Sequence, residues 1–113
     1  MDERFAARTG YTDVAKWLEW PTREYFENYY CVFVLSKDAP EEIRKAAIRE
    51  SLNYFYRGIS DCMLTIEDIF EFNDKDEIIG IKTTGGFVDD AKGIIKWIER
   101  GELSRNPREW NNI

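Results

Sequence analysis

The sequence predicts a mainly α, single compact domain of four to five helices, with a β-hairpin around residues 69–82 as the one departure and α+β as the alternative class. Two observations carry this. Apolar residues recur at helical spacing over three stretches, 22–35, 39–57 and 87–101, as the buried stripe of an amphipathic helix does. The chain has 113 residues, 43% of them apolar and 15% aromatic, which suits one core and excludes intrinsic disorder. Neither an internal repeat nor a low-complexity tract divides it, so residues 1–113 read as one domain with an irregular tail over 104–113.

The first helix is predicted from a Thr12 cap, with Asp13 near its positive end, through Trp20. Pro21 ends it, because the residue before proline avoids the helical region. Trp17 and Trp20, close to that proline, read as core. Thr22 caps a second helix. Tyr25, Tyr29 and Phe33 recur at i, i+4 and i+8 with Phe26, Tyr30 and Val34 beside them, which predicts a helix over about 22–35. The β-branched and aromatic run 29–35 fits a buried strand as well, since periodicity does not separate the two in short apolar runs.

The third helix, about 39–57, has the clearest signals. Asp38 caps it, Pro40 lies in its first turn, and Glu41 and Glu42 complement its dipole. Ile43, Ala47, Glu50 or Ser51, and Tyr54 set its period, and Gly58 reads as the stop. Residues 61–82 admit two descriptions. Thr65-Ile66-Glu67-Asp68 has the spacing of a capping box. Ile69-Phe70-Glu71-Phe72, the polar Asn73-Asp74-Lys75-Asp76, and residues 77–82 also read as a hairpin about a turn. After the loop Thr83-Thr84-Gly85-Gly86, a last helix runs from near Phe87 to near Gly101, with Asp89 and Asp90 in its first turn. Trp110 is the expected anchor of the tail.

The charge is localised. Residues 61–90 hold nine acids and two bases, a balance of −7 within a total of −6; residues 1–60 come to −1 and residues 91–113 to +2. Native surfaces usually intersperse the two signs. A negative block attracts a basic partner and repels nucleic acid and anionic membranes. The longest apolar run, 29–35, is far short of the ~20 residues that span a bilayer. The N-terminus is charged from Asp2 with no apolar stretch behind it, which predicts a cytosolic address without a secretory leader. Cys31 and Cys62 lie in apolar stretches and read as buried thiols with no disulfide between them.

Catalytic signatures are absent. Without histidine the chain lacks the commonest general base and metal ligand. Two cysteines 31 residues apart do not have zinc spacing. A calcium loop opening at Asp74 needs glycine at 79 and glutamate at 85, where Ile79 and Gly85 stand. No enzyme activity, cofactor or metal is expected. Lys92, Lys96 and Arg100 form a wet helical stripe that complements the helix dipole.

Asp89 and Asp90 have a local role at a helix start and Asp61 lies apart, so the surface that remains is Glu67, Asp68, Glu71, Phe72, Asp74, Asp76 and Glu77. These are the expected partner-binding residues, with Phe72 as an aromatic anchor inside an acidic rim. In size, in the acidic block and in the helical end Gly93-Ile94-Ile95-Lys96-Trp97-Ile98, the chain resembles small acidic bacterial toxin-immunity proteins of the contact-dependent growth inhibition and bacteriocin type. The resemblance implies a protein that neutralises a basic toxin domain, a nuclease by preference, through tight stoichiometric binding. Nuclease-colicin immunity proteins carry Tyr-Tyr followed by Pro near their acidic patch; here Cys31 follows Tyr29-Tyr30, which precede the acidic block, so no family residue is carried over. Two alternatives stand beside it: a phage-encoded nucleic-acid mimic, and a regulatory subunit docking through an aromatic face.

Overall fold

The chain folds around residues 31–35, every one of them buried. The computed structural model describes residues 14–112. Among them are four α-helices and two antiparallel strand pairs, a mixed α+β domain rather than a purely helical one. The Thr12 cap and Asp13 lie outside the described residues. Where the first helix was expected, a 3-10 turn (Ala15–Trp17) leads into strand β1 (Leu18–Trp20), which pairs with β2 (Val34–Leu35): Leu18 faces Leu35 and Trp20 faces Val34 across a register shift. Trp17 and Trp20 are half-buried and pack against the core.

Helix α1 (Arg23–Asn28) starts on the predicted cap, with Thr22 Oγ1 accepting from Tyr25 N–H at 3.4 Å. It stops after six residues, not at 35. Tyr29 is already extended (φ −133°, ψ 147°). The aromatic and β-branched residues that follow lose side-chain freedom in a helix and suit a buried extended segment. Of the stripe predicted to be core, only Phe26 in α1 turns inward, while Tyr25 and Tyr29 are exposed.

Among the described residues, Val34 and Leu35 of this run pair with a strand, β1. Elsewhere helices supply the bonds. Ser51, on helix α2 (Glu41–Asp61), accepts from Phe33 N–H at 3.0 Å and donates to Phe33 C=O at 3.1 Å. From helix α4 (Val88–Glu99), Trp97 Nε1 donates to the same carbonyl at 2.9 Å, and Asp90 Oδ1 accepts from Val32 N–H at 3.1 Å. Arg100, just past α4, donates to Leu35 C=O. Buried backbone polar groups must find partners, and this run finds them on two helices at once. Gly93 lets the layers meet: a Cβ there would stand 2.7 Å from Val32 Cγ1 and 3.2 Å from Trp20 Cδ1.

Helix α2 passes through Gly58, the expected stop, and ends three residues later at Asp61. Gly58 instead admits a neighbour, since a Cβ there would lie 3.1 Å from the Phe87 ring. The true stop is a left-handed Met63 (φ 59°): Leu64 N–H bonds Ile59 C=O at 2.8 Å and Met63 N–H bonds Ser60 C=O at 3.0 Å, the 6→1 and 5→2 pair of a Schellman motif. Helix α4 ends the same way on Gly101 (φ 77°), with Glu102 N–H bonded to Trp97 C=O and Gly101 N–H to Ile98 C=O. Both descriptions of residues 61–82 hold in succession: a one-turn helix α3 (Ile66–Ile69), then the hairpin of β3 (Phe70–Phe72) and β4 (Ile78–Ile81). The tail is ordered rather than irregular. It winds into a 3-10 helix (Pro107–Asn112) that buries Trp110, whose Nε1 donates to Ser104 C=O at 2.8 Å. Cys31 is buried, whereas Cys62, expected to be buried, is exposed at the end of α2; no disulfide joins them. Among the described residues no helix is long and apolar enough to cross a membrane.

Candidate acidic docking surface

Three short elements carry the acidic residues. Glu67 and Asp68 lie on α3, Glu71 and Phe72 on β3, and Asp74, Asp76 and Glu77 in the hairpin turn. Asn73 builds that turn. Its Oδ1 accepts from Lys75 N–H (2.9 Å) and Glu77 N–H (3.0 Å), and its backbone N–H bonds Glu77 C=O at 3.0 Å. Asp76 takes the left-handed conformation at φ 61°, which short polar side chains tolerate better than most.

The structure brings part of this set together. Glu67, Phe72 and Asp76, from three different elements, line one cleft of about 210 Å³ with Ile66, Asn106, Pro107 and Arg108. Its lining combines apolar side chains (Ile66, Phe72, Pro107) with charged ones (Glu67, Asp76, Arg108). Phe72 is half-buried and packs against the core, so it serves both as core edge and as cleft wall. Asp74 and Glu71 are exposed outside the cleft.

Two predicted residues are occupied. Asp68 Oδ2 accepts from Thr65 N–H at 2.8 Å and from the Thr65 hydroxyl at 3.1 Å. Those bonds hold its carboxyl below the usual range and commit it to capping α3. Glu77 Oε1 accepts from Asn73 Nδ2 at 3.0 Å, folding back onto the turn. A basic residue also enters the surface. Arg108 Nη2 lies 3.2 Å from Asp76 Oδ2, with both side chains largely exposed. Such a pair contributes little to stability. The hairpin is fixed to the tail by backbone instead: Ile78 N–H bonds Arg105 C=O at 2.8 Å, and Arg105 Nη1 donates to Ile78 C=O at 3.2 Å.

A second group of residues was missed in the sequence. Tyr25 and Tyr29 are 40% and 56% exposed, with ring centroids 4.7 Å apart. Beside them Asp90, expected only to favour a helix end, reaches inward to Val32. Burial pushes its carboxyl up to about 6; the Val32 bond opposes that shift and the neighbouring Asp89 adds to it. The helical spacing of Tyr25 and Tyr29 suggested burial, and nothing local distinguishes Asp90 from Asp89.

Among the described residues no three His, Cys, Asp or Glu side chains converge as metal ligands would. No protein-family model, curated protein or solved structure matches the chain.

Proposed function

We propose that the protein is a non-enzymatic, cytoplasmic inhibitor of the immunity type, which binds a basic protein partner such as a nuclease toxin domain in a stoichiometric complex. The observation behind this is the convergence of Glu67, Phe72 and Asp76 on one cleft that also has apolar lining from Ile66 and Pro107. Acidic groups around an aromatic wall combine the two parts of a fast, tight interface: a field that steers encounter and an anchor that slows release. Glu71 and Asp74 extend the field beyond the cleft. Asp68 and Glu77 act through structure, by capping α3 and closing the turn.

The test is capture of a basic partner from the source organism, followed by binding kinetics. A triple variant, Glu67→Gln with Asp74→Asn and Asp76→Asn, should lower the association rate by roughly tenfold at low salt and flatten its dependence on ionic strength. The captured protein should also lose its own activity at one equivalent of wild-type protein. An unchanged association rate in the triple variant would remove the acidic surface from the interface.

A further inference from the structure

We propose that the cleft formed by β1, the start of α1 and the start of α4 is a second binding site, which takes an arginine side chain of a partner protein. It measures about 300 Å³ and is lined by Glu19, Trp20, Pro21, Thr22, Tyr25 and Asp89. None of these residues lines the Glu67–Phe72–Asp76 cleft, and the inference does not rest on that surface.

The lining suits a planar cation. Two aromatic rings, Trp20 and Tyr25, contribute to the walls, and two carboxylates, Glu19 and Asp89, supply charge; none of the described lining residues is basic. Guanidinium groups stack on aromatic faces and bridge to carboxylates, which an ammonium does less well. The tryptophan is held in place: its Nε1 donates to Asp89 C=O at 3.2 Å, and it lies against Gly93, where a side chain would crowd it. The negative field is felt inside. The Tyr25 phenol is held above its usual range, first by burial and then by the charges of Asp90 and Asp89.

The chain's own cations mark the same chemistry. Lys96 Nζ lies 5.1 Å from the centre of the Trp20 ring, and Arg100 Nη1 lies 3.7 Å from Glu19 Oε2. Arg100 is tied down by Leu35 C=O and by Glu102 at 2.8 Å, while Asp89 stands exposed. A second opening, lined by Thr22, Glu24, Tyr25, Asn28 and Tyr29, shares Thr22 and Tyr25 with the first. The polypeptide bearing the arginine would therefore cross the exposed Tyr25–Tyr29 pair. Tyrosines of this kind, semi-rigid and amphipathic, are common anchors of protein interfaces.

The experiment is an NMR titration of the full chain with N-acetyl-arginine amide, with N-acetyl-citrulline amide as the neutral isostere. The Trp20 indole N–H and the Thr22, Tyr25 and Asp89 amides should shift saturably in the millimolar range, with citrulline roughly tenfold weaker. Tyr25→Ala and Asp89→Asn, both at exposed positions, should each weaken binding by roughly fivefold. Equal shifts with citrulline, or shifts that never saturate, would overturn the site. So would a response centred on Phe72 and Asp76, which would leave the acidic surface standing and place the arginine there.

Discussion

Asp90 is the residue at which burial and charge oppose each other most directly. Its carboxyl titrates near 6 in the folded chain, against 3.8 ordinarily. A raised value means that the folded state holds the proton more tightly than the unfolded state. The stability this gives is complete below about pH 4 and is lost as pH rises through about 6. Above that the ionised group costs the fold about 2–3 kcal/mol. Asp90→Asn keeps an oxygen for Val32 N–H and removes the charge. It should raise stability at pH 7 by about 1–2 kcal/mol, less than the full cost because the new amide N–H group also needs a partner. Urea unfolding at a series of pH values should show the wild-type decline between pH 4 and 6 flattened in the variant. An unchanged pH profile would mean that Asp90 is not the titrating group. Neither this role nor that of Ser51 can be read from neighbouring residues. Both exist because the chain brings residues 32 and 33 to them, across sequence separations of 58 and 18.

At the scale of elements, two helices end on the same motif with different residues. Gly101 was legible as a stop because glycine has no Cβ to strain a left-handed conformation. Met63 was not, since methionine carries no such mark, and Gly58 drew attention to a position where the helix continues. The comparison yields paired outcomes. Met63 is 93% exposed and gives up almost no packing, so Met63→Gly should stabilise the domain by about 1 kcal/mol. Gly101→Ala should cost about 1 kcal/mol by the same physics. Thermal melts of the two variants should move in opposite directions. The hairpin shows a related limit of legibility. Residues 65–82 carried helix and strand signals together because they form both, and the change of period falls between Ile69 and Phe70. Helix α1 ended early for the reverse reason: six residues of helical spacing continued into a run whose aromatic and β-branched side chains matched a strand better.

At the scale of the whole molecule, the acidic block is less free than its charge count implies. Asp68 caps, Glu77 braces a turn, Asp90 is half-buried and bonded to Val32, and Asp76 already meets Arg108. Arg108 therefore occupies the surface as a partner's cation would. Arg108→Gln should leave stability within about 0.5 kcal/mol, as expected for an exposed pair. It should also speed association with a basic partner at low salt, by roughly twofold to threefold, by removing one opposing charge. A slower association would mean that Arg108 itself contacts the partner.

The stitching of residues 31–35 also dictates how the molecule comes apart. A strand bonded only to other strands can peel away while its helices stay docked. Here α2 holds Phe33 and α4 holds Val32, Phe33 and, through Arg100, Leu35, so releasing the segment strips bonds from both helices together. Local opening then has no inexpensive route, and the domain should behave as one cooperative unit. Amide hydrogen exchange reads this directly. The Val32 and Phe33 amides, bonded to side chains rather than to a sheet, should exchange as slowly as the buried middle of α2, at a rate set by global unfolding. Faster exchange at those two amides would show that the centre of the fold opens before its helices part.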